Sequence, residues 1–275
     1  MNVSEFRIID EKIRNAAKAE RIVDINWYGP NTIGFVSLLS GDEDDVLIPF
    51  FDIPQLALCA KKGKAYGVDE VYVSLAQKFI SNKDIEYTSE FYKTDKNESY
   101  GCIVLAAYED YADPVYSYAL YEYLCCAEQM LKDGGKLILI SDKESVSTFT
   151  RTIIEENPLL SLDASVFFYK NCVTVFKKGT RSKTVYLRSA NREPIDIIYE
   201  EFLACKGGFN IPYFEVLSDF KLNPVYYDPK NQNTVILLNT ENARRLGDIA
   251  DIIQPVLIPV RASQLGTDKG GYLII

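Results

Sequence analysis

Histidine is absent from all 275 residues. That removes Ser-His-Asp and Cys-His nucleophilic catalysis and imidazole metal sites together. Chemistry must then rest on carboxylates, amides, aromatic rings, lysines or a cofactor. Three stretches hold such groups where an α/β fold would set them at strand ends. They are Asp52 in the turn after VLIPF, Asp69-Glu70 closing KAYGVDE, and Tyr108-Glu109-Asp110-Tyr111 after CIVLAA. The first two belong to one continuous outline, VLIPFFDIPQLALCAKKGKAYGVDE: a buried strand, a tight turn, a helix and a second strand ending in acid. Many nucleotide-type cofactor sites begin this way, but with glycines where this turn holds Asp52 and Pro54.

The cysteines at 59, 102, 125, 126, 172 and 205 sit in apolar runs such as LALCA and NCVTVF. A free thiol there behaves as a small hydrophobe, so reduced core cysteines are expected. Cys125 and Cys126 are neighbours on one helix and point in different directions, and no zinc-type spacing is present. No metal site is expected.

The elements that must position these groups alternate. Phe6, Ile9, Ile13 and Ala16 or Ala17 recur at helical spacing behind Ser4, which predicts an opening amphipathic helix. NTIGFVSLLSG reads as a short apolar segment. Then come VLIPF as a strand, IPQLALCAKK as a helix, KAYGVDE as a strand, VYVSLAQKFIS as a helix and DIEYTSEFYKTD as an extended segment. CIVLAA suits a central parallel strand. A long tyrosine-rich helix follows, VYSYALYEYLCCAEQMLK, with Tyr116, Tyr118, Tyr121 and Tyr123 expected to pack against the sheet and its neighbours. It is stopped at DGG, where Gly134 or Gly135 can take the left-handed conformation. KLILIS is a strand, Ser145–Glu156 a helix, and LLSLDASVFFY with CVTVFKK a hairpin turning at Lys170-Asn171. This order implies a mostly parallel α/β sheet with an antiparallel strand near its edge. Ligands of such sheets lie at the carboxyl ends of the strands, which singles out the loops after VLIPF, YGVDE, CIVLAA and KLILIS.

No run of about 18 apolar residues occurs, and the charged N-terminus is no signal peptide, so a cytoplasmic location is expected. A net charge of −9 argues against a free-standing nucleic-acid binder. Between Lys170 and Arg192, however, there are seven basic residues and no acidic one. That stretch is either a solvated linker with a basic strand or a strip facing phosphates.

Four features in this order resemble the N6-adenine DNA methyltransferases of restriction-modification systems, a class built on the S-adenosylmethionine-dependent Rossmann-like fold. They are Pro49-Phe50 before a turn and apolar helix, Gly67-Val68-Asp69-Glu70 closing the second strand, YEYLCCAEQMLKDGGKLILIS, and the hairpin SVFFYKNCVTVFKK. The resemblance covers roughly residues 40–180. It implies a Rossmann-like methyltransferase sheet, mostly parallel with a closing antiparallel hairpin, and S-adenosylmethionine as the cofactor if there is one. Pro49, Phe50, Asp52, Asp69 and Glu70 would be the cofactor-binding positions. The family's first motif resembles D-P-F-x-G-x-G, yet aligning Pro49-Phe50 puts Ile48 at the acid and Asp52 and Pro54 at the glycines. A carboxylate there faces the cofactor's own carboxylate, and proline removes an N–H while fixing φ near about −65°. Asp69 or Glu70 matches the acid that accepts from ribose hydroxyls; the plainer reading is an exposed acid capping the next helix.

The family's catalytic Asn-Pro-Pro-Tyr or Asp-Pro-Pro-Tyr falls at the LAAYEDY segment, which has no Pro-Pro. By position Tyr108 or Tyr111 would stack on a flipped base, and Glu109 or Asp110 would accept from an amine. Leu246–Ile253, LGDIADII, is similar to the start of a specificity module, K-L-G-D-I-A-x-I, whose complete form needs on the order of another hundred residues. The strand-like pattern at Ile275 leads us to expect architecture beyond it. The expected organisation is a helical segment at 1–40, a methyltransferase-like domain at 41–180, and a small α+β extension at 181–275. The leading expectation is a catalytically impaired scaffold or DNA-associated subunit, with DNA contacted alongside a partner subunit and a protein partner met through the C-terminal extension. The alternatives are an active DNA N-methyltransferase with a rearranged site and a protein-interaction module without ligand.

Overall fold

The structure is a computed structural model that describes residues 3–19, 28–41, 43, 45–51, 54–68, 70–80, 84–88, 99–107, 114–179, 181–190 and 193–231. In chain order the elements are α1 (Val3–Ala19), α2 (Pro30–Ser40), β1 (Val46–Phe51), a 3-10 segment (Pro54–Cys59), β2 (Gly63–Gly67), α3 (Glu70–Phe79), β3 (Ile85–Thr88) and β4 (Tyr100–Ala107). They continue with α4 (Pro114–Met130), β5 (Leu131–Asp142), α5 (Val146–Glu156), β6 (Leu160–Phe167), β7 (Asn171–Lys178), β8 (Thr184–Ser189), α6 (Ile195–Leu203), β9 (Phe209–Pro212) and α7 (Tyr213–Asp219).

The strands form one nine-stranded sheet in the order β3-β2-β1-β4-β5-β7-β6-β8-β9. From β3 to β5 all neighbours are parallel, while β7 runs antiparallel to both β5 and β6. The expected mostly parallel sheet with its closing hairpin is therefore present. Beyond the hairpin, β8 adds parallel to β6 and β9 antiparallel to β8, so the sheet continues past residue 180. Residues 1–228 make one compact unit and residues 229–275 another. LGDIADII lies outside the described residues.

The period of two along each strand divides the core. In β4, Cys102, Val104 and Ala106 face one apolar cluster, whereas Ile103, Leu105 and Ala107 face the other. The first face is covered by α1, α2, α3, α6 and the 3-10 segment, the second by α4, α5 and α7. Burial on both sides explains why the central strands read as unbroken apolar runs.

Three local expectations change. NTIGFVSLLSG is a helix, with Pro30 in its first turn and Ile33, Phe35, Val36 and Leu39 buried. Its apolar character all round hides the helical period, because it is covered on several sides at once. The helix expected over IPQLALCAKK is a 3-10 segment of six residues. Helix α4 stops at Met130, before the DGG; Gly134 does take positive φ, +77°, but inside β5. There the β4–β5 register jumps from Tyr100↔Leu131 to Cys102↔Lys136.

Candidate functional site

Strand order reverses between β1 and β4, and the carboxyl ends of the parallel strands share one edge of the sheet. Phe51, Gly67, Ala107 and Asp142 end β1, β2, β4 and β5 there, so the fold brings the four expected loops to one edge. Of the sequence-derived site residues, Pro49 and the backbone of Phe50 lie in β1, and Glu70 opens α3. Asp52, Asp69, Tyr108, Glu109, Asp110 and Tyr111 lie outside the described residues.

Pro49 lies in β1, beside the point where strand order reverses. It has no N–H to give a ladder in a central strand. Among the described residues β1 pairs with β4 at Val46↔Cys102 and Leu47↔Ile103, and its register with β2 shifts between Ile48 and Phe51. Pro49 is buried.

After β1 the backbone does not build an α-helix. The 3-10 segment is tied down at both ends by side chains. Gln55 Nε2 donates to Asp10 Oδ1 of α1 at 2.9 Å, Ser37 Oγ of α2 donates to the Leu58 carbonyl at 2.9 Å, and Ser40 Oγ donates to the Cys59 carbonyl. Gln55 is 1% exposed, and among the described residues its Oε1 has no hydrogen-bond partner. The Asp10–Gln55 contact was not visible in the sequence; the only local hint was a carboxylate on the inner side of an amphipathic helix.

Glu70 stands exposed at the first position of α3, where a carboxylate complements the helix dipole. At the end of β5, Asp142 Oδ1 accepts from the backbone N–H of Ser145 at 2.7 Å and from its hydroxyl, closing the turn into α5. Asp142 is thus a carboxylate at the ligand edge that the sequence reading passed over, and the D-K-E-S spacing before a helix is its signal.

The tyrosine-rich α4 divides its rings. Tyr123 is buried, whereas Tyr118 is 66% and Tyr121 55% exposed, so only part of this helix packs inward. The cysteines divide likewise. Cys59, Cys102 and Cys172 are buried, Cys125 and Cys126 are half-buried, and Cys205 is exposed. Burial pushes the thiols of Cys102 and Cys172 up to about 12. Among the described residues no group of three ligating side chains could hold a metal ion.

The basic stretch contains the expected strand, β8, but that strand is largely buried and the charges do not form a single strip. Val185, Tyr186, Leu187 and Arg188 of β8 are buried. Lys177 pairs with Asp163 at 3.2 Å and Lys178 with Asp133 at 3.8 Å, while Lys170, Arg181 and Lys183 are exposed. A cleft of about 520 Å³, lined by Asp45, Lys62, Lys64, Asp84, Glu86 and Tyr100 among others, opens at the amino ends of β1–β4. It lies at the edge opposite the ligand loops. Its Asp45 is held below the usual carboxylate range by the hydrogen bond from Lys132.

No known family's sequence profile matches the chain, and no curated protein does. Solved structures do. A Listeria monocytogenes protein assigned to the class I S-adenosylmethionine-dependent methyltransferases superposes with a TM-score of 0.53 at 11% identity, over 74% of this chain and 80% of that one. A chain from a type I restriction-modification system superposes with a TM-score of 0.52 at 12% identity, over 81% of this chain; the match spans 61% of that longer chain. At such identities the likeness is one of fold. The chain has the mixed α/β, Rossmann-like fold of the S-adenosylmethionine-dependent methyltransferases.

Proposed function

We propose that this protein is a methyltransferase-like member of a restriction-modification or related phage-defence system that does not transfer methyl groups and serves as a scaffold or DNA-associated subunit. The observation that carries the reading is the connection from β1 to β2. Parallel neighbours are usually joined through an α-helix whose first turn presents free N–H groups to the ligand. Here the connection holds a six-residue 3-10 segment beginning at Pro54, which has no N–H to present. Its second residue, Gln55, turns its amide inward to Asp10.

S-adenosylmethionine does not fit this side of the edge. Asp52 would meet the cofactor's carboxylate, and the segment supplies no glycine for close approach. Asp69 or Glu70 would be the retained feature of the ribose side. With no Pro-Pro after β4 to hold an amine acceptor, the second half of the chemistry is missing as well.

DNA contact would rest on the exposed Arg181 and Lys183 ahead of β8, together with a partner subunit that offsets the net charge of −9. A type I restriction-modification chain among the structural neighbours supports that setting. Titration calorimetry with S-adenosylmethionine tests the proposal, which expects no binding. A second reading, methyl transfer through a rearranged site, is favoured only by the exposed carboxylate of Glu70 at the ligand edge. Transfer of labelled methyl groups to adenine-containing DNA would establish it.

A further inference from the structure

We infer that the outer face of α4, with the adjoining end of α5, is a docking surface for a basic segment of a partner protein. Tyr118 and Tyr121 form its centre. They are 66% and 55% exposed, on a helix whose other side is buried through Leu120, Tyr123, Leu124, Ala127 and Met130. Positions 118, 121, 125 and 128 recur at the spacing of one helical face, so the two rings stand side by side outside the core.

The surface is continuous. The Tyr121 hydroxyl is hydrogen-bonded to the Cys125 thiol, and Glu156 at the end of α5 lies close enough to act on both groups. Further along α4, Glu128 Oε2 accepts from the backbone N–H of Leu159 at 2.6 Å, and Leu159 is itself 53% exposed. Apolar area therefore runs from Tyr118 toward Leu159 with carboxylates set along it.

Charge selects the occupant. Helix α4 has no lysine or arginine, and α5 has only Arg151, whose guanidinium lies 4.8 Å from the centre of the Phe220 ring. Against that one base the two helices carry Glu122, Glu128, Glu155 and Glu156. Lys178, paired in register with Leu160, is 15% exposed and donates to the Leu131 carbonyl at 2.7 Å. Such a face repels phosphates, which disfavours nucleic acid, and a second copy would set acid against acid. A lysine- or arginine-bearing segment instead meets carboxylates at the rim and two tyrosine faces for cation–π contact at the centre. The inference deepens the proposed function and rests on its reading of a DNA-associated assembly, in which a basic partner subunit offsets the net charge of −9.

Fluorescence anisotropy on the full chain, with a fluorescein-labelled amphipathic peptide of Lys, Arg and Leu, tests it. The wild-type protein should bind saturably at about 100 μM or tighter, and should not bind the same peptide with Glu in place of Lys and Arg. Tyr118→Ser with Tyr121→Ser leaves the net charge unchanged and should weaken binding about tenfold or more. Glu156→Lys should weaken it about fivefold or more, whereas Glu11→Lys, an equal charge change at an exposed site on α1, should stay within about twofold of wild type. The surface is refuted if the wild type does not bind saturably, if the double tyrosine variant binds as the wild type does, or if Glu156→Lys and Glu11→Lys lose affinity equally. Cofactor calorimetry on the same protein reads the proposed function separately, because bound S-adenosylmethionine would overturn that function and leave the peptide result standing.

Discussion

Arg188 of β8 and Glu201 of α6 meet at 2.5 Å, with the guanidinium 2% and the carboxylate 38% exposed. Glu193 binds the same nitrogen. The most basic stretch of the chain thus contributes a buried strand whose charge is met by acids from the next helix and its leading loop. Gly207 completes the enclosure, since a Cβ there would come within 3.1 Å of Arg188 Nη1 and 2.5 Å of Glu201 Oε2.

This enclosure predicts an asymmetry. The two glutamates keep contact with water, so Arg188→Met leaves no buried charge unpaired and should cost less than about 2 kcal/mol. Replacing both glutamates by alanine strands a buried guanidinium and should cost about 3–5 kcal/mol. Urea unfolding monitored by circular dichroism measures both. The reverse order would show that the cluster is not buried as described.

Two glycines should respond very differently to alanine. Gly63 has φ +140°, and a Cβ there would lie 1.9 Å from the Val46 carbonyl oxygen, on the backbone of the neighbouring strand. Gly63→Ala should therefore part β1 from β2 and cost more than about 4 kcal/mol. Gly134 has φ +77° with no atom within 4 Å of the built Cβ, so Gly134→Ala meets conformational strain alone, about 1–2 kcal/mol. Comparable melting temperatures for the two variants would contradict the register at Gly63.

Alkali should weaken the fold. Cys102 and Cys172 are pushed up by burial from 9.0 to about 12, and Tyr87 and Tyr227 by burial from 10.0 to about 12. Cys59 moves the same way. A raised folded value means that the unfolded chain releases its protons first. Stability from these groups is complete below pH 9 and falls as pH rises from there toward 12. The fully buried Cys102 and Cys172 each contribute a slope of about 1.4 kcal/mol per pH unit while only the unfolded form is ionised, and the partly exposed tyrosines contribute less because solvent screens them. Urea midpoints at pH 8, 9.5 and 10.5 should drop progressively, and constant midpoints would place these groups in contact with water. In the native protein at pH 8, Cys205 should react fastest with a thiol reagent, while Cys59, Cys102 and Cys172 stay silent until denaturant is added.

The central strands were readable because β4 and β5 bury both faces, which writes an apolar run too short for a membrane span and bounded by turns. The hairpin of β6 and β7 was readable for the same reason. Helix α2 escaped because burial on several sides erases the polar face that marks a helical period. The burial of strand β8 escaped because Arg188, taken alone, reads as a surface residue, and the acids that make its burial tolerable lie on the following loop and helix. At the site, the strand ends and Glu70 were legible as spacing. The Asp10–Gln55 hydrogen bond joins residues 45 positions apart and leaves no local pattern. The shortness of the segment after β1 had one local cause in view, Pro54, but its 3-10 winding depends on anchoring by α1 and α2.

Titration calorimetry of the full chain with S-adenosylmethionine bears most directly on the claim that the turn after β1 no longer serves a cofactor. We predict no binding heat at ligand concentrations up to about 1 mM, which corresponds to an affinity weaker than about 4 kcal/mol. A saturable isotherm in the low micromolar range, worth roughly 8 kcal/mol, would contradict it and return this protein to the methyl-transferring members of its fold.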